Sequence, residues 1–168
     1  MNRRVFAARS AALGVSGLLG ACGFKLRGAQ TFAFDNIAVV AAQNGPVAAE
    51  LRRTLGEKLH QPSGGATPSV PQVTMDMLSE QREKTVVGVN AAGQVREFQL
   101  RIRVMFRLRS AQGKELIKET EILQQRDISF NESAVLAKEF EETLLYRDMQ
   151  SDIVQQIMRR LAAVSVLN

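Results

Sequence analysis

The chain holds 168 residues with 22 Lys and Arg against 17 Asp and Glu, a formal charge of +5 and a sequence pI of about 9.9. That length suits a single domain, and a composition of 45% hydrophobic and 23% charged residues is globular and unlike a disordered chain. One Cys and one His exclude an intrachain disulfide framework and a Cys/His zinc site, and a catalytic triad would have to be built on His60 alone.

In chain order, residues 1–9 carry Arg3, Arg4 and Arg9 and no acid, and residues 11–21 are small and apolar. A charged stretch before an apolar run of roughly eleven residues is an export signal, since a bilayer span needs about 20. Leu19-Gly20-Ala21-Cys22 resembles the lipobox of bacterial lipoproteins. That resemblance implies cleavage before Cys22, a diacylglyceryl thioether on its sulfur and an acylated amino terminus. Each buried CH₂ contributes about 0.8 kcal/mol, so several acyl chains hold a domain on a membrane durably. Asn2-Arg3-Arg4-Val5-Phe6 also resembles a twin-arginine signal, and the export route stays open. Without residues 1–21, which hold three Arg, 19 basic residues face 17 acidic ones and the charge falls to +2. Most of the basicity belongs to targeting, and no nucleic-acid partner is expected.

The mature chain, residues 22–168, reads as one α+β domain in the order β-α-β-β-β-α: a mixed sheet of about four strands with two helices packed on one face. Residues 36–42 form a short buried strand. Asn44, Gly45 and Pro46 then start a helix, with Asn able to cap and Pro suited to the first turn. Val47, Leu51, Leu55 and Leu59 give that helix one apolar face, and it is expected to stop near His60, a solvated C-terminal histidine favourable to the helix dipole. A loop with three Pro and two Gly fills residues 61–71. Val73, Met75 and Met77 alternate with polar residues as a half-buried strand, parallel to the first through a right-handed crossover. Residues 80–84 are polar, 85–89 are β-prone and 90–94 form a turn.

The clearest period follows. Phe98, Leu100, Ile102, Val104, Phe106 and Leu108 point one way, while Arg101, Arg103, Arg107 and Arg109 point the other. After a turn at 110–114, residues 115–128 return with Leu116, Thr120 and Ile122 on one face and Glu115, Glu119 and Glu121 on the other. If Arg109 opposes Glu115, then Arg103 opposes Glu121 and acids neutralise part of the basic face. The arginine row is then either a solvated, balanced face or a surface for an anionic partner, because guanidinium forks bind phosphates bidentately. From a cap at Asn131 to about Ala163, the apolar stripe Val135, Leu136, Phe140, Leu144, Met149, Ile153, Ile157 and Leu161 has helical spacing. A helix of about 30 residues would be about 45 Å long, so it either kinks or projects towards a partner. No constellation looks catalytic. Glu141 and Glu142 diverge by about 100° on a helix and read as solvated surface within pairing distance of Lys138, while Met75, Met77, Met149 and Met158 read as core fillers.

Cys22-Gly23-Phe24-Lys25-Leu26-Arg27-Gly28 resembles the mature opening of the LPS-assembly lipoproteins of the LptE family. Asn44-Gly45-Pro46, Glu97-Phe98-Gln99-Leu100, Arg126 before Asn131, Ala137-Lys138 with Glu141, and Gln156-Ile157-Met158-Arg159-Arg160-Leu161 resemble the same family in order and spacing. The resemblance implies two helices on a roughly four-stranded sheet, lipid-anchored at Cys22 on the periplasmic side of the outer membrane. It implies a plug that helps assemble the LptD β-barrel and binds lipopolysaccharide, with no reaction catalysed and no cofactor or metal beyond the covalent lipid. In the family, basic residues contact lipopolysaccharide at the turn before the long strand and near the start of the last helix. Lys138 matches the second position. The first falls at about Ala91, where this chain departs, and Arg96 is the nearest substitute. Gly23 is not the Asp that retains lipoproteins at the inner membrane. The alternative is a free-standing periplasmic lipoprotein that carries an anionic lipid or glycan.

Overall fold

The computed structural model describes residues 30–60 and 70–165. Residues 1–21, expected to be an export signal, Cys22 and the motif that follows it lie outside the described residues. Strand β1 (Ile37–Ala41), helix α1 (Pro46–Leu55), strands β2 (Val73–Val89), β3 (Val95–Ser110) and β4 (Glu115–Ser129) and helix α2 (Val135–Ala162) follow in that order. The sheet runs β1-β2-β3-β4. β1 and β2 are parallel and adjacent, and the other pairs are antiparallel. The fold is the expected mixed α+β arrangement.

The alternation in β3 sets the core. Leu100, Ile102, Val104, Phe106 and Leu108 are completely buried, together with Val47 and Leu51 of α1 and Met149, Ile153, Ile157 and Leu161 of α2. Met75, Met77, Met149 and Met158 are all buried in this core, where unbranched thioethers fill irregular space between sheet and helices.

Helix α1 departs from expectation at both ends. Asn44 is not its cap: Gly45 holds that position and supplies no side chain, while Asn44 Oδ1 accepts from Arg52 Nη1 at 3.3 Å. The free N–H groups of Val47 and Ala48 instead donate to the Glu80 carboxylate of β2, at 3.0 and 3.4 Å. A carboxylate at a helix N-terminus meets both unpaired donors and the positive end of the dipole. A Cβ on residue 45 would collide with that carboxylate, so any larger residue there would have to push Glu80 off the helix end. The helix stops at Leu55, short of His60, because Gly56 turns the chain with φ of +52°. Leu59 then bridges to Ile37 of β1, and the His60 N–H donates to the Ile37 carbonyl at 2.8 Å. His60 therefore extends the sheet edge and does not sit on a helix C-terminus.

β2 is one strand of 17 residues, where the sequence suggests a short strand, a polar stretch at 80–84 and a β-prone stretch at 85–89. Its register against β3 slips between Met77 and Ser79, which leaves Leu78 as the extra residue of a bulge. Val73, Met75 and Met77 face the helices before the slip, and Glu80, Arg82 and Lys84 oppose the buried Val104, Ile102 and Leu100 after it. Three polar side chains thus continue an apolar face. They are tolerable there because the helices provide partners for each.

The β3–β4 register also shifts. Arg109 does oppose Glu115, but two slips beside Leu108 place Leu123 opposite Arg103 and Glu121 opposite Met105. Arg103 reaches Glu121 diagonally, at 3.6 Å.

Asn131 accepts from the Ser133 N–H at 3.0 Å and caps a short 3₁₀ turn at Glu132–Ala134, from which α2 runs unbroken for 28 residues, about 42 Å at 1.5 Å each. Only its second half is core. Every buried residue of α2 lies at or beyond Met149, whereas Leu136 is 82% and Phe140 68% exposed. The helical stripe is real, but the sheet and α1 cover only its C-terminal part.

Phe106→Ala is therefore expected to cost about 3–5 kcal/mol and Phe140→Ala no more than about 0.5 kcal/mol, measured by urea unfolding of the purified protein. Comparable losses at both positions would mean that the first half of α2 is packed as tightly as the second.

Candidate functional site

A cleft of about 220 Å³ opens where the far ends of β2, β3 and β4 meet the first turns of α2, lined by Lys84, Phe98, Ile128, Ser129, Phe130, Val135, Lys138, Glu139 and Glu142. Helical spacing puts 135, 138, 139 and 142 on one face, and strand alternation puts Lys84 and Phe98 on the side facing them. Lys138 Nζ donates to Ser129 Oγ at 3.0 Å and to Glu141 at 2.8 Å. Lys84 Nζ donates to Glu142 at 2.6 Å and lies 4.4 Å from the centroid of the Phe98 ring. Phe130 packs edge-on against Phe98 at 5.3 Å. Glu142 is thus neither solvated surface nor a partner of Lys138: it ties α2 to β2.

Arg96 stands one step along β3. Its carbonyl accepts from the Phe130 N–H at 2.7 Å, and its guanidinium donates to Gln94 at 3.2 Å. Gln94 in turn belongs to a turn held by Asn90, whose Oδ1 accepts from the backbone N–H groups of Ala92 and Gln94. The structure therefore brings Lys138, Arg96 and the turn around Ala91 to one end of the molecule.

Between this cleft and the core runs a polar seam. Arg82 donates to Gln150 at 2.8 Å and lies 5.2 Å from the Tyr146 ring centroid, and Gln150 donates onward to Glu50 of α1. Tyr146 donates to the Glu83 carbonyl at 2.8 Å. Burial, reinforced by Glu142, pushes the Tyr146 phenol above its ordinary pKa, so it remains a donor. The seam was hidden in the sequence because residues 80–84 look like a polar stretch; the readable signal is that Glu80, Arg82 and Lys84 keep a period of two.

The strand arginines lie on the opposite, open face, away from the cleft. Arg107 Nε and Arg109 Nε both donate to Asp76 Oδ2 at 2.8 Å, and Arg109 Nη2 donates to Asp76 Oδ1 at 3.0 Å. Arg101 Nε donates to Gln99 at 2.7 Å. The largest influence on Asp76 is its burial, which raises its pKa, but hydrogen bonds from Arg109 and Arg107 and their charges together hold the carboxyl below its ordinary value. Among the described residues, no group of three His, Cys, Asp or Glu could hold a metal ion, and no helix is long and apolar enough to cross a membrane.

The model of the LptE family, described as lipopolysaccharide-assembly, matches residues 34–161. The chain belongs to the LptE family. This LptE-family chain is similar to lipoprotein B from Nitrosomonas europaea, known from a solution NMR structure, with 33% identity over 84% of this chain and 91% of that one and a TM-score of 0.69. The rare lipoprotein B from Shewanella oneidensis shares the fold at 18% identity, covering 76% of this chain and 94% of its own, with a TM-score of 0.62. A minor lipoprotein from Acinetobacter baumannii does so at 18% identity over 79% and 94%, with a TM-score of 0.61. No curated protein gives a significant match. The match starts at Phe34 and ends at Leu161, the first and last fully buried hydrophobic residues among those described.

The depressed pKa of Asp76 fixes a sign. Its ion pairs stabilise the fold above the ordinary carboxylate range, and that contribution is lost as pH falls through the lowered folded-state value. Asp76→Asn is expected to lower the melting temperature at pH 7 and to flatten the acid side of the stability profile. Parallel profiles for variant and native protein would contradict this.

Proposed function

We propose that this chain is a lipid-anchored partner of the LptD outer-membrane β-barrel, which it plugs and helps to assemble, and that it binds lipopolysaccharide near Lys138. Membership in the LptE family across residues 34–161 carries the proposal. Anchoring would be through Cys22, which follows Leu19-Gly20-Ala21, on the periplasmic side of the outer membrane. The reading involves no catalysis and no cofactor.

Two features of the fold support it. The first half of α2 presents Leu136, Phe140 and Leu144 to solvent at i, i+4 and i+8, one face turned away from the sheet. Apolar residues aligned this way are suited to contact with a partner. The second is the cleft, where Lys138 sits with Lys84 and aromatic rings, cations being suited to phosphates. Arg96, anchored on the turn that carries Ala91, is the substitute cation for the family position this chain lacks. At about 220 Å³ the cleft suits a headgroup and falls below the roughly 300–1,000 Å³ of enclosed small-molecule sites.

Affinity purification of the full-length chain from detergent-solubilised outer membrane is expected to recover a β-barrel protein in equal amount. Leu136→Asp with Phe140→Asp is expected to reduce that recovery about tenfold with little change in the melting temperature of the free protein. A native chain recovered as a monomer with no barrel would contradict the proposal.

A further inference from the structure

We propose that Lys84 is the second cation of a two-lysine clamp for a phosphoryl group, and that Glu142 is an internal carboxylate which the ligand displaces. The inference rests on the lipopolysaccharide-binding reading above and adds a residue and a competition to it. Lys84 comes from the middle of β2 and Lys138 from the first turns of α2, yet both line the same cleft. Each ammonium is already occupied by a carboxylate of the next turn of α2, Lys138 by Glu141 and Lys84 by Glu142.

Stability alone does not account for this arrangement. Lys84 pairs across the sheet with the fully buried Leu100 and lies on the side of the sheet that faces the helices. An exposed ion pair of this kind contributes little to stability. Here the side chains of Lys84 and Glu142 are 38% and 22% exposed, open enough to exchange partners. A phosphate monoester carries about −1.5 to −2 charge and three acceptor oxygens, where the carboxylate brings one charge and two oxygens. Its extra charge and oxygen suit it to two cations lining one cleft, whereas Glu142 pairs with Lys84 alone.

The surroundings keep the lysines in place during that exchange. The face of Phe98 holds the Lys84 ammonium by cation–π attraction, and Ser129 Oγ holds Lys138. Glu142 has only to rotate from the cleft to solvent. Because the Lys84–Glu142 pair joins β2 to α2, a ligand held by Lys84 and Lys138 exchanges that tie for one of its own.

The test measures binding of bisphosphorylated lipid A and of a phosphate-free lipid A analogue, both in detergent micelles, to the full mature chain. Glu142→Gln is expected to tighten binding of the bisphosphorylated form several-fold and to leave the analogue unchanged. Lys84→Met is expected to weaken the former about tenfold, and combining the two changes is expected to abolish the gain from Glu142→Gln. In parallel, the Lys84 ammonium signal in NMR spectra of the unmodified chain is expected to shift on titration with bisphosphorylated lipid A, a readout that does not depend on any variant folding. An unshifted Lys84 signal, or native or weaker binding by a stably folded Glu142→Gln protein, overturns the clamp. If Lys138→Asp alone abolishes binding while the Lys84 and Glu142 variants bind as the native chain does, the clamp fails and the lipopolysaccharide reading stands. Failure of the native chain to bind either probe overturns both.

Discussion

The carboxylate of Glu80 on the N-terminus of α1 is the contact on which the two halves of this domain turn. Up to Met77 the inward side of β2 is apolar and packs in the core; beyond the bulge at Leu78 it is charged. A carboxylate directed into a helix layer is costly unless it is hydrogen-bonded, and α1 supplies two free backbone donors at the required place. That geometry needs glycine at position 45 and positions α1 over the near half of the sheet. The same slip that points Glu80 inward also points Arg82 and Lys84 inward, so the seam and the cleft follow from one extra residue in β2.

The molecule consequently has a dry end and a polar end. At the dry end α1 and the second half of α2 cover β3 with fully buried side chains. Towards the other end the same sheet face carries Arg82 paired with Gln150, then Lys84 paired with Glu142. Directional contacts of this sort define the position of α2 but contribute less to stability than apolar burial, because each exchanges solvent hydrogen bonds for internal ones. A segment held that way opens at lower free energy than the core. Binding surfaces commonly occur in such regions, and both the lysine cleft and the exposed face of Leu136 and Phe140 lie there. The arginine row on the open face is different in kind: Asp76 already engages two of its four guanidinium groups, which leaves less charge for an external anion.

Much of this was legible in the sequence. The alternation of β3 placed Phe98 to Leu108 on the buried face, the spacing of Val47, Leu51 and Leu55 identified α1, and the order of elements predicted a four-stranded mixed sheet. Lys138 was singled out, and the fold brings it to the same end as Arg96. What escaped depended on contacts far apart in the chain. A bulge leaves no local mark, so β2 reads as two pieces with Lys84 in the polar stretch between them. The cap of α1 comes from a residue 33 positions away from Val47, where a reading of neighbours chose Asn44. Helical periodicity shows which residues share a face but not how far the sheet extends beneath it, so Leu136 and Phe140 were grouped with core residues such as Met149. His60 was misplaced because a positive-φ glycine ended the helix early and returned the chain to β1.

The claim that one continuous helix belongs to two mechanical regimes is tested most directly by native-state hydrogen exchange along α2. Amides from Met149 to Leu161 are expected to exchange only through global unfolding. Those from Leu136 to Leu144 are expected to exchange through local opening, at a free energy lower by about 2 kcal/mol or more. Equal protection along the whole helix, with the same dependence on denaturant, would contradict the account.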